Sequence, residues 1–329
     1  MKNLLFLLPV LLFAVSFGRS ALAEDVKPPI QTGHGHLFAC TDYSQGKVFI
    51  VDADGKAIWD YPAPSCNDLS VLPNGNLLFN TGHGVREVTR DKQVVFDYSG
   101  SLIKRNVKQK DGTFKQVEGP SEIYACQRLA NGNTFIGECN TGRLLEVSPG
   151  GAIVKELRLL PPGIDGGHMY IRNARVLPNG NYLVAHCGQQ LVREYDPTGK
   201  IVMEIPATGG PHSLLRLPNG HTLISCGDRP GGSRVFEADE AGKTVWQVTS
   251  ADLPGIQLYF MAGVARLPNG NTIMCNWLGH GHFGKAPHLI EVTPDKQVVW
   301  TFADHATMRT ISYVVILDGA GAKGGKETR

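Results

Sequence analysis

Leu217-Pro218-Asn219-Gly220-His221, followed at once by Thr222-Leu223-Ile224-Ser225, reads as a tight turn and the strand that returns from it. Asn-Gly supplies the positive φ angles that a short hairpin between right-twisted strands requires, and the apolar, β-branched run suits the strand. The same turn recurs at Leu72–Asn76, Leu129–Asn133 (with Ala130 in place of proline), Leu177–Asn181 and Leu267–Asn271. Each copy marks a hairpin between the first two strands, A and B, of a repeated unit.

A second turn lies downstream of each copy. It is clearest in Asp52-Ala-Asp-Gly55-Lys56-Ala-Ile-Trp59, Asp239-Glu-Ala-Gly242-Lys243-Thr-Val-Trp246 and Thr293-Pro-Asp-Lys296-Gln-Val-Val-Trp300, with relatives at Thr89–Phe96, Ser148–Val154 and Asp196–Val202. These six turns join strands C and D, and strand C carries a glutamate at one matching place in five copies: Glu87, Glu146, Glu194, Glu237 and Glu291. Recurrence position by position identifies one supersecondary unit used repeatedly.

Six second turns against five first turns predict how the ring closes. Ile311 to Gly319 matches a strand A and its turn, whereas His34 to Tyr61 supplies strands B, C and D with no A before them. One blade is therefore expected from both termini, beside five at about 65–98, 121–157, 170–205, 211–248 and 260–302. The fold class is all-β, a six-bladed β-propeller of four-stranded antiparallel blades; radial repetition is one solution to unpaired sheet edges.

These hairpins and Asp-x-x-Gly-Lys-x-x-Trp turns, with an amino-terminal export signal and six blades, resemble the bacterial arylsulfotransferase-like and pyrroloquinoline-quinone (PQQ)-like propeller repeat proteins. The resemblance spans the mature chain and rests on turn and packing residues. It implies that the Trp turn is a blade-docking device. It also implies that His212, shortly before its hairpin, stands where arylsulfotransferases place channel histidines that bind a sulfuryl group, one of which is transiently sulfated. The His-Asp pair of that family's repeats is His212-Ser213 here.

Residues 1–23, with Lys2, an apolar run from Leu4 to Phe17 and small residues Ala21 and Ala23, have the layout of a cleaved secretory signal. Residues 24–319 are expected to form the single propeller domain, and 320–329 a Gly/Lys tail without structure. A periplasmic or secreted location and no membrane anchor follow. Loss of Lys2 and Arg19 leaves 30 basic residues against 30 acidic ones, so nothing in the overall charge draws the chain to nucleic acid. The basic run from Lys104 to Lys115 is read as a solvated loop. A monomer is expected.

In a four-stranded blade the connections into strand A and from B to C emerge at one face. The long connections, Ser99–Pro120, Arg158–Met169, Thr249–Tyr259, Ala303–Thr310 and Asn276–Pro287, all fall there, which places the site at that channel mouth. Aligning strands A on the turn leucine puts Asn67, Tyr124, Arg172, His212, Ala262 and Ser312 in one row. The ends of strands B add Asn80 with His83, Glu138 with Cys139 and Asn140, His186 with Cys187, Cys226 with Asp228, and Cys275 with Asn276 and Trp277.

Candidate catalytic residues are His212, Arg172 and His168; candidate ligand-binding residues are Asn67, Tyr124, His186, Trp277, His280, His282 and Lys285. Histidine and arginine together suit a transferring oxyanion. The expected function is binding of a small molecule, glycan or protein at the mouth, with sulfuryl transfer or a related hydrolase or lyase activity as the alternative. No cofactor is expected. PQQ is the less favoured reading, and so is a divalent metal on the glycine-flanked His34, His36, His83, His280 and His282. The cysteines at matching strand ends are read as packing residues; Cys66 and Cys126 are the expected pair should any disulfide form.

Overall fold

The computed structural model describes residues 30–318; the expected signal segment and the Gly/Lys tail lie outside the described residues. Six antiparallel blades form a ring, and the described residues include no α-helix, only short 3-10 turns at Cys187–Gln189 and Ser250–Asp252. Blades one to five have inner strands A at Leu69–Val71, Ile123–Arg128, Asn173–Val176, Pro211–Arg216 and Met261–Arg266. The sixth places Ile311–Ile316 beside Phe38–Asp42, then Lys47–Val51 and Ala57–Pro62. The ring thus closes by antiparallel pairing of the two ends of the chain.

Two elements were not anticipated. Leu102–Lys108 pairs with Phe114–Pro120 as a two-stranded ribbon, so the segment read as a long solvated loop is a hairpin between the first and second blades. Asp111-Gly112 at its tip carries the turn chemistry, with Gly112 at φ +85°. Ile30–Gly33 adds a fifth strand to blade five, pairing with Trp300–Ala303. It covers an edge that would otherwise present unpaired backbone groups.

Alternating apolar residues of adjacent blades meet in six clusters, one at each blade interface. The recurrent glutamates act between blades as well. Glu87, Glu194 and Glu237 each accept a hydrogen bond from a residue of their own A–B turn (Asn76, Asn181 and His221) and another from an arginine on strand A of the next blade (Arg128, Arg216 and Arg266), at 2.6–2.8 Å. Between blades six and one, the equivalent positions carry Ile50 and Val71, which pack in a shared apolar cluster instead. The tryptophan turn also docks blades: the indole N–H groups of Trp59 and Trp246 donate to the carbonyls of Arg90 and Pro294 on the following blade's C–D turn, both at 2.8 Å.

Candidate functional site

A cavity of about 440 Å³ opens at the channel mouth. Three sets of residues line it. The strand A starts contribute Asn67, Arg172, His212, Ala262 and Ser312; the connections entering strand A contribute His168, Met169, Gly209 and Phe260; the B–C loops contribute Tyr43, Asp228, Arg229, Trp277 and His280. All three belong to the face with the long connections, and the volume is that of a small-molecule site.

Arg172 dominates one wall. Its guanidinium lies 3.9 Å from the centroid of the Tyr124 ring, and Nη1 donates to Nε2 of His168 at 3.2 Å. Because arginine only donates, Nε2 of His168 accepts, which puts that imidazole's proton on Nδ1, where Glu122 receives it at 3.2 Å. Burial works against the Glu122 carboxylate. Its surroundings, the hydrogen bond from His168 first among them, outweigh burial and hold its pKa below the ordinary value. The Arg172 side chain is thus gripped by a ring and an imidazole. Arg172 is only 5% exposed, its Nε has no partner, and it pairs directly with no carboxylate among the described residues.

His212 stands beside it with its ring edge-to-face on Phe260, centroids 4.4 Å apart. Burial comes first, and the nearby positive charge, that of the Arg172 guanidinium foremost, adds to it; together they push its pKa well below the ordinary histidine value. His212 is therefore a neutral imidazole near two guanidinium groups, Arg172 and Arg229. In the same lining, Nδ1 of His280 lies 2.7 Å from Oδ2 of Asp228, and its ring meets Trp277 edge-to-face at 4.9 Å. A side chain on Gly279 would collide with the Trp277 indole, which explains a glycine beside His280. Tyr43, Trp277 and Phe260 form a continuous aromatic wall.

Some of the residues singled out in the sequence lie elsewhere. His186 is fully buried inside blade three, bonded to the Tyr170 carbonyl and the Tyr195 hydroxyl at 2.8 Å each; burial lowers its pKa to about 4. His282 stacks on Tyr259 at 4.0 Å outside the cavity lining, and Lys285 is exposed in the same loop. Tyr124 is behind the wall, supporting Arg172, with its hydroxyl 3.1 Å from Nδ1 of His168. The asparagines at strand B ends hold incoming backbone: Asn80 accepts from the amides of Asn67 and Asp68, Asn140 from Glu122 and Asn276 from Tyr259. Tyr43, Met169, Arg229 and Phe260 were not anticipated. Phe260 and Met169 lie close before strand A residues of the aligned row, so extending that row toward the amino side would have reached them.

All seven cysteines are buried, unbridged thiols, so Cys66 and Cys126 are not joined. Burial holds the Cys187 and Cys226 thiols above their ordinary pKa, as expected of packing residues. Among the described residues no three His, Cys, Asp or Glu side chains converge in a way that could hold a metal ion.

No protein-family model and no curated protein matches the chain. Among solved structures, a protein of unknown function from Bacteroides caccae is 26% identical, with a TM-score of 0.71 over 85% of this chain and 98% of that one. A streptogramin B lyase (13% identical, TM-score 0.53, 83% and 87% covered) shares the fold. So does a catalytically inactive histidine-to-alanine variant of virginiamycin B lyase from Staphylococcus aureus with quinupristin (13%, 0.51, 84% and 98%). These likenesses support the six-bladed propeller. They do not extend to the arylsulfotransferase-like or PQQ-like families in particular.

Proposed function

We propose that this chain is an exported propeller that binds a small organic anion at its channel mouth, with the anionic group on Arg172 and Arg229 and a ring or other apolar body against Tyr43, Phe260 and Trp277. The observation that carries this reading is Arg172, a nearly buried cation at a cavity wall with no carboxylate partner. Glu122 acts on it only from a distance, through His168; a nearly buried cation with no directly bonded carboxylate is costly, and an anionic ligand offsets that cost. Asp228, the acid in the lining, is engaged by His280, which leaves the two arginines to the ligand. A glycan or protein ligand fits less well, since the lining is a compact cavity with aromatic and cationic walls.

Calorimetric titration with aryl carboxylates and aryl sulfates at low ionic strength tests it. Micromolar to millimolar binding is expected, lost in Arg172→Met and weakened by salt. Equal binding by wild type and Arg172→Met would overturn the assignment. A second reading, sulfuryl transfer, is favoured by His212: a neutral imidazole at the cavity with no hydrogen-bond partner among the described residues is available as a nucleophile. A sulfated His212 peptide after incubation with an aryl sulfate, identified by mass, would establish that reading. Neither reading calls for PQQ or a metal.

A further inference from the structure

His280 is held at the cavity in an unusual way. It takes a left-handed conformation, φ +52°, between Gly279 and Gly281, a region that side-chain-bearing residues rarely occupy. Asp228, from the B–C loop of the preceding blade, fixes its Nδ1 at 2.7 Å, and Trp277 and Phe260 meet the ring edge-to-face. Nε2 is then the nitrogen without a protein partner among the described residues, on a side chain that lines the same cavity as Arg172, Arg229 and His212. A carboxylate that orients an imidazole, in one cavity with preorganised cations, is the arrangement of a general base beside an electrostatic stabiliser.

Building on the anion-binding reading above, we propose that the mouth is a proton-transfer site: His280, oriented by Asp228, removes a proton from the carbon next to the acyl group of an aryl-substituted carboxylic acid. The C–H bond breaks, its proton bonds to Nε2 of His280, and the electron pair moves onto the acyl oxygen, where Arg172 and Arg229 balance the new negative charge. Return of a proton from the imidazolium restores the acid and gives isotope exchange. Departure of a substituent on the next carbon, taking its own bonding pair while the enolate pair forms the double bond, completes an elimination. His212, kept neutral, provides a hydrogen bond to the acyl group without competing for its charge.

The test uses the whole mature chain, with mandelate and phenylpyruvate as probes. Binding is measured first by calorimetry, and deuterium uptake at the carbon next to the acyl group is then followed in heavy water by proton NMR at saturating probe. Uptake at least tenfold above the buffer rate is expected, and reduced at least tenfold in His280→Gln and in Asp228→Asn. His280 is exposed enough, at 60%, for its replacement to leave the fold intact, which the melting temperature checks. If both probes bind yet exchange no faster than in buffer, or equally fast in His280→Gln, the base assignment fails while the binding reading stands. If neither probe binds, the binding reading fails for this ligand class and the proton-transfer proposal falls with it.

Discussion

Arg175, on the inner strand of the third blade, donates two hydrogen bonds across the channel to the Asp68 carboxylate of the first, at 2.6 and 2.8 Å, and both side chains are buried. The same carboxylate accepts the Cys126 amide of the second blade, and the Tyr313 hydroxyl of the sixth lies 3.2 Å from Arg175. Four inner strands thus meet at one ion pair, three residues along the strand from Arg172. Asp68→Asn strands a buried guanidinium, and a loss of roughly 3–5 kcal/mol is expected. Denaturant titration of this variant checks it; a midpoint equal to wild type would show that the pair does not hold the ring.

The network around Arg172 separates support from contact. Tyr124→Phe keeps the ring under the guanidinium and removes only the hydroxyl near His168. Tyr124→Leu removes the ring. The first variant is expected to bind the ligand within a factor of about three of wild type, and the second to lose roughly five- to thirtyfold, as a desolvated cation–π contact of about 1–2 kcal/mol implies. Calorimetry on the two variants side by side distinguishes them, and equal losses would remove the ring from the account.

The glutamate clamps illustrate what could be read in advance. Glu87, Glu194 and Glu237 were visible as a repeat, yet a repeat within one blade does not show that the partner is an arginine on the next, 22 to 41 residues later; that pairing exists only once the ring closes. Glu146 departs from the pattern. Val176 stands where the arginine would be, and Glu146 bonds only Asn131 and Asn133 among its hydrogen-bond partners. The aligned strand A row was legible because one turn fixes its register, and five of its six members line the cavity. Asp228 and His280 come from loops of adjacent blades with no shared register, so their contact could not be read.

From these clamps a graded result follows. Arg266→Met leaves Glu237 with His221 but removes its interblade bond, and a loss of about 1–2 kcal/mol is expected for a half-buried charged hydrogen bond. Glu146→Gln, at a more exposed site without an arginine, is expected to cost under about 0.5 kcal/mol. Thermal melts of the two variants rank them, and the reverse order would refute the clamp.

Stability should fall on both sides of neutrality, for different histidines. His36 places Nε2 2.9 Å from Glu291 and Nδ1 3.0 Å from Asp318, so both nitrogens must donate; chiefly through the Glu291 bond, its pKa is raised. A raised folded value means that this contribution is complete below the ordinary pKa near 6.5 and is lost as pH rises through the higher one. His186 and His288 behave oppositely: burial lowers them to about 4 and about 3, so the unfolded chain binds protons first and stability declines as pH falls below about 6.5, by about 1.4 kcal/mol per pH unit for each imidazole. Unfolding free energies from pH 4 to 9 should therefore peak near neutrality. His36→Gln should flatten the alkaline limb alone.

The closure of the ring sets a last expectation, about which end of the chain matters more. Ile311–Ile316 is the inner strand of the sixth blade, buried along its whole length and paired with Phe38–Asp42. Removing the chain from Ile311 onward deletes that strand, exposes the facing sides of the first and fifth blades and takes away Tyr313 beside the Arg175–Asp68 pair. Ile30–Gly33, by contrast, lies on the outside of blade five, mostly exposed, and contributes four paired residues with the Gln31 bond to Trp300. The truncation at Ile311 is expected to abolish cooperative folding, because an opened ring leaves unpaired strand edges and apolar faces that associate between molecules. A chain starting at His34 is expected to fold and to melt several degrees lower, its blade five edge now open. Size-exclusion chromatography and calorimetric melts of both read the difference directly: a soluble, cooperatively melting chain that ends at Thr310 would show that the two termini do not close the propeller.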